Sequence, residues 1–386
     1  MEKKILSAAL AALLLCLCLS CGNERKNTNS HLYSLEATGK VKRFELDSDV
    51  RYNAFYLYTF RDDKGKEYLS FLNYRTNQIL FYDFETSGFL FKMNLKAEGP
   101  DGVVQPTGLY VKDLNNIYVS SYAYEGLIKV DTACKIVQKI PYGTTSSGYK
   151  VLPSYTPSSH PYIPPVMIDG KLCITQPDVP HFHPVAETPL SVAIDTVRKT
   201  CEGFPLTYAI LTKEELGAND SRFSRIYNGK EFVYSFYASE DIIVASTDHS
   251  DIKRVKVKSE YIDCPTMEQE TTEKGPKLNL ELARYGDLLY DSYRDVYYRF
   301  AYPKVELEDD IQWWGKAVYG RKKFSVIILD KDFNIIGETL FPEAVYNSYV
   351  FFVHKDGLYI SRDYQMLYGD SEDDMTFELF NLTEKK

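Results

Sequence analysis

The chain has 386 residues, 44% hydrophobic and 26% charged, with a formal charge of −9. It is too apolar and too aromatic for a disordered chain. The acidic balance argues against a phosphate-backbone binder, so no nucleic-acid partner is expected.

Residues 1–20 read as an export signal. Glu2-Lys3-Lys4 gives a positive start, Ile5 to Leu19 an apolar stretch, and Ser20-Cys21-Gly22 a small-residue cleavage site. The ending is similar to a bacterial lipobox, in which Cys21 would be lipidated and would hold the mature chain to a membrane; Cys18 stands where Leu is usual. Residues 21–38 are then the lipidated Cys and a tether, and residues 39–386 a single domain. The expected address is the cell envelope, lipid-anchored at the outer membrane and facing the periplasm or the surface. Export leaves Cys134, Cys173, Cys201 and Cys264. An oxidising compartment permits any of their three pairings. Cys173 and Cys201 fall in one repeat and would be the favoured pair, but a large core needs no disulfide, so free buried thiols are expected. No C-x-x-C spacing occurs among these four, so a zinc ribbon is not indicated.

The rest of the chain reads as strands. Tyr is the outlier, with 32 copies beside 21 Phe and 2 Trp, and aromatic residues favour strands. Short aromatic runs such as Tyr68-Leu69-Ser70-Phe71-Leu72 and Val296-Tyr297-Tyr298-Arg299-Phe300 recur. A helix fits Thr212 to Gly217, with Thr212 as N-cap and Glu215 at the capping-box position. Two turn series interleave. One runs through Asp62-Asp63-Lys64-Gly65, Asp113 to Asn116, Asp169-Gly170, Asn228-Gly229, Asp291 to Arg294 and Lys355-Asp356-Gly357. The other ends strands at Asp83, Asp131, Asp195, Asp248, Asp330 and Asn381. Asp and Asn belong there because their side chains bond the following backbone. Six units of four strands predict an all-β fold, a six-bladed β-propeller of four-stranded antiparallel blades. The last unit lacks chain for a fourth strand, and Val41 to Leu46 is expected to supply it and close the ring.

The lipobox, the six units and the turn Glu98-Gly99-Pro100-Asp101-Gly102 together resemble an uncharacterised family of bacterial six-bladed β-propeller lipoproteins. That family is TolB-like in architecture and known as a domain of unknown function. The resemblance implies fold and location and brings no catalytic residue.

In such a ring the turns within the two strand pairs share one face, and the long connections share the other. Long insertions on one face mark a binding face. These connections hold Tyr155, Tyr162, His181, His183, Trp313, Trp314, Tyr319 and Tyr364. Trp and Tyr offer flat apolar faces to a protein, peptide or glycan, although Trp313 and Trp314 could simply pin their own loop. His181 and His183 alternate, but two ligands do not make a zinc site, so no metal and no cofactor is assigned. Gly-x-Ser-x-Gly, P-loop and His-Glu-x-x-His motifs are absent. The expectation is a non-catalytic binding propeller. The alternative is a hydrolase or lyase acting on extracellular polysaccharide or peptide at the axial pocket.

Overall fold

The computed structural model describes residues 32–46, 50, 55–73, 75–148, 162–176, 187–217, 221–265, 275–308, 320–362, 364 and 373–385. The described chain is almost entirely antiparallel β-sheet. Sheet I contains β2 (Phe55–Arg61), β3 (Glu67–Asn73), β4 (Gln78–Asp83) and β5 (Phe89–Asn94). Sheet II contains β6 (Pro106–Asp113), β7 (Asn116–Ser121), β8 (Tyr124–Val130) and β9 (Ile136–Pro141). Sheet III contains β10 (Val166–Ile168), β11 (Lys171–Thr175), β12 (Ser191–Asp195) and β13 (Thr200–Gly203). Sheet IV contains β14 (Phe223–Tyr227), β15 (Glu231–Phe236), β16 (Asp241–Ser246) and β17 (Ile252–Lys256).

The fifth sheet is eight-stranded. Its half V contains β18 (Arg284–Asp291), β19 (Val296–Tyr302), β20 (Ser325–Leu329) and β21 (Ile335–Leu340). Its half VI contains β22 (Asn347–His354), β23 (Gly357–Ser361), β24 (Asp374–Glu384) and β1 (Tyr33–Glu45). The halves meet through one parallel pairing of Tyr33 with Gly337. β1 pairs antiparallel with β24 from Tyr33–Glu384 to Glu45–Asp374, with a bulge between Ala37 and Val41.

The turn residues explain the local folding. Main-chain N–H groups of Lys64 and Lys66 donate to Asp62 Oδ1, those of Ala133 and Lys135 to Asp131, those of Val197 and Arg198 to Asp195, and those of Asp332 and Asn334 to Asp330, all at 2.8–3.0 Å. Each carboxylate satisfies donors that a tight turn would otherwise leave open. Thr212 and Glu215 close the expected capping box reciprocally: Glu215 N–H donates to Thr212 Oγ1 at 3.2 Å, and Thr212 N–H donates to Glu215 at 2.7 Å.

Two expectations need correcting. Asn381 ends no strand: it lies inside β24 opposite Glu36. The strand that pairs with it there is β1, far earlier in the chain. β1 also begins at Tyr33, before the boundary at residue 39, because Leu35 is buried among Phe341, Phe380 and their neighbours. As a large core allows, Cys173 and Cys201 are buried free thiols, and Cys134 and Cys264 are free too. Cys173 on β11 and Cys201 on β13 flank β12, two strand spacings or about 9–10 Å apart, beyond the ~7 Å that a disulfide spans.

Six apolar clusters hold the sheets together, and each lies between two successive sheets. They join I to II, II to III, III to IV, IV to V, V to VI, and VI back to I. Most of the aromatic excess is spent here. Phe44 meets Tyr82 and Phe377 edge-on, and Phe300 stacks on Phe351. Such pairs add about 0.5–1.5 kcal/mol beyond area burial.

Candidate functional site

Antiparallel pairing puts the connections between strands one and two, and between three and four, at one end of every sheet. All of these are two to five residues long. The other end carries the short connections 74–77, 122–123, 237–240 and 341–346, and also the long ones 95–105, 142–165, 176–190, 204–222, 257–283, 303–324 and 362–373. The expected asymmetry between a short-turn end and a loop-rich end is therefore present.

At the loop-rich end, Tyr162 sits where the first strands of sheets IV, V and VI converge. Its carbonyl accepts from Arg225 N at 3.0 Å and Ser224 Oγ at 2.7 Å, both on β14. Its N–H donates to Asp287 Oδ1 on β18 at 2.9 Å. Its ring lies 6.1 Å from that of Phe351 on β22. Burial pushes its phenol up to about 12. Tyr162 thus fills the space between three sheets.

Asp287 is the centre of this cluster and is fully buried. Its Oδ1 also accepts from Tyr237 Oη at 2.6 Å, while its Oδ2 has no hydrogen-bond partner among the described residues. Burial drives the carboxyl up to about 7, against the opposing pull of the Tyr237 hydroxyl and the Tyr162 N–H. The Arg222 guanidinium lies 5.2 Å from the Tyr237 ring and donates to Asn279 Oδ1 at 3.1 Å. Asn279 belongs to the short helix Gly275–Glu281, and its carbonyl accepts from Arg321, which also donates to Leu282 O at 2.9 Å. Arg321 covers the Tyr302 ring at 5.0 Å. Gly286 is required beside Asp287, because a Cβ there would stand 2.4 Å from the Tyr302 ring.

A carboxyl poised near neutrality can hold or release a proton in the working pH range. It also carries a stability signature. A folded pKa of about 7 against the ordinary aspartate value of 3.8 means that the folded state binds the proton more tightly. That contribution is intact below pH 4 and is lost as pH rises through 7, by up to about 4 kcal/mol. Asp287→Asn should abolish this loss. Urea titrations at pH 5 and pH 8 should show a wild-type decrease that the variant lacks; equal pH dependence in both proteins would rule the assignment out.

Of the residues expected to contact a ligand, Tyr162 and Tyr364 are described. Both are packed: Tyr364 is buried, and burial pushes its phenol up to about 12. Tyr155, His181, His183, Trp313, Trp314, Tyr319 and the lipidation residue Cys21 lie outside the described residues. Among the described residues, no group of three or more His, Cys, Asp or Glu could hold a metal ion. The turn at Glu98 to Gly102 ties its connection to sheet II, since Asp101 Oδ1 accepts from Ile136 N at 3.0 Å. The sequence reading missed Asp287, Tyr237 and Arg222. The available signal was a lone carboxylate inside the apolar run Arg284-Tyr285-Gly286-Asp287-Leu288-Leu289.

These features define an all-β protein of stacked four-stranded sheets with a loop-rich end. The chain belongs to the DUF4221 family, a domain of unknown function, whose model matches residues 33–340. It is similar to the crystal structure of a DUF4221 member from Bacteroides vulgatus ATCC 8482, at 25% identity and a TM-score of 0.80, over 92% of this chain and 100% of that one. It is also similar in fold to a protein assigned as exported from Bacteroides fragilis NCTC 9343, at 12% identity and a TM-score of 0.52, over 93% and 97% of the two chains. No curated protein matches the chain.

Proposed function

We propose that the chain is an envelope lipoprotein whose six-bladed, TolB-like β-propeller binds a protein, peptide or glycan through its loop-rich end, without catalysis. The six interfaces returning from VI to I support the ring, and the pairing of β1 with β24 supports closure by the N-terminal strand. The observation that carries the binding reading is the contrast between the two ends: seven long connections stand opposite turns of five residues or fewer. Tyr162 occupies the convergence of β14, β18 and β22, which favours recognition across the surface over recognition deep in an axial pocket. The signal-like residues 1–20 and the exported relative support the address. Palmitate labelling of the wild type, lost in Cys21→Ser, tests the anchor.

The ligand test uses the protein lacking residues 1–21 on a glycan array and in pull-downs. The double variant Trp313→Ala, Trp314→Ala is expected to weaken binding at least tenfold, since aromatic anchors contribute about 2 kcal/mol or more each. Undiminished binding by a folded variant would remove both residues from the site. The hydrolase or lyase reading is favoured by one observation, the Asp287 carboxyl near neutrality beside Tyr237. It requires turnover of a polysaccharide or peptide that Asp287→Asn abolishes.

A further inference from the structure

The first described residues fix where any anchor must act. Leu32 O accepts from Lys385 N at 2.7 Å, and Tyr33 pairs with both Glu384 of β24 and Gly337 of β21. Leu35 N–H donates to Thr339 Oγ1 at 2.8 Å. The chain therefore enters the domain on the outer strands of halves V and VI. The cyclic order of the apolar clusters puts sheets II and III on the opposite side.

We infer that the edge formed by β1 and β21 faces the bilayer, with sheets II and III farthest from it and the loop-rich end left uncovered. The inference rests on lipid attachment at Cys21, as proposed above. Eleven residue steps separate Cys21 from Leu32. Fully extended they span at most about 36–40 Å. A domain of this size is about 50 Å across. The lipid cannot reach sheets II and III even at full extension, whereas the V–VI edge, where the chain enters the domain, lies within that reach. Lys40, Val41 (40% exposed) and Arg43, which also pairs with Asp374 at 3.3 Å, are exposed on the edge strand beside Glu36 and Glu45. Basic residues of this kind are drawn to anionic headgroups. The short turns Asp62-Asp63-Lys64 and Asp330-Lys331-Asp332 each carry two acids to one base, so charge does not draw the short-turn end to anionic headgroups.

The test compares two outer-strand probes on the full acylated protein in liposomes that contain headgroup-nitroxide lipid. A fluorophore is placed through Leu340→Cys on β21 or Val137→Cys on β9, both in a Cys134→Ser, Cys264→Ser background. The native residues are 39% and 59% exposed. Quenching is expected to be at least twofold stronger at 340. Inserting twenty Gly/Ser residues after Ser30 should erase the difference, because the longer chain can then reach every side. Equal or stronger quenching at 137 in acylated, bilayer-bound protein would overturn the orientation alone. Protein that neither incorporates palmitate nor binds liposomes would overturn the anchoring reading, and this inference with it.

Discussion

Removal of residues 1–45 is expected to abolish folding of the domain, and returning residues 32–46 after Lys386 through a short linker is expected to restore it. β1 is paired with β24 at ten positions, and it buries Leu35 and Phe44 in two different clusters, between V and VI and between VI and I. Each of those side chains contributes about 1.5–3 kcal/mol on burial, and each ladder hydrogen bond about 0.5–1.5 kcal/mol net. Together they approach the 5–15 kcal/mol that holds a whole domain folded. Deletion would also bare the edge of β24, a template for aggregation. The permuted chain keeps every contact, because Tyr33 and Glu384 already lie opposite each other. Its linker only has to turn between them. Circular dichroism and thermal unfolding of the three proteins check this. A deletion variant with wild-type Tm would show that β1 is an accessory strand, and would remove the support for ring closure.

The parts of the fold that were legible in the sequence are those made by near neighbours. Asp131 bonds the backbone two and four residues on, so its role is written in the next few letters. The same holds for Asp62, Asp195 and Asp330, and the strand register followed from these turns. Asn381 copied the pattern and misled, because what decides its geometry is Glu36, hundreds of residues away in the chain. The candidate site was less legible for the same reason. Asp287 acquires its character from Tyr237 and from Tyr162, the latter 125 residues earlier. Composition suggested that tyrosines in long connections were free to contact a ligand. Tyr162 instead spends its ring and both main-chain polar groups joining three sheets.

Arg299→Met is expected to cost about 3–5 kcal/mol. Arg299 lies on β19 with no solvent exposure. Its Nε donates to Ser235 Oγ at 3.0 Å, its Nη1 to Glu240 O at 2.7 Å and Val257 O at 2.9 Å, and its Nη2 to Ser239 O at 2.7 Å, with Phe236 O and Asp241 O at 3.4 Å. The guanidinium rests 4.0 Å from the centre of the Tyr285 ring. Burial lowers its pKa to about 10, so it remains charged at neutral pH. A buried cation is costly when isolated, and here carbonyl dipoles from the connection between β15 and β16 replace water around it. Met fills much of the volume and removes the desolvation cost, but it leaves several carbonyls without a donor. Each buried orphan costs about 1–3 kcal/mol, so the orphaned acceptors outweigh the relief. Arg299→Lys keeps the charge with only three donors and no planar fork, and should fall between wild type and Met. Urea denaturation ranks the three. A Met variant within 1 kcal/mol of wild type would mean that water enters to satisfy the carbonyls, and that Arg299 does not fasten sheet IV to half V.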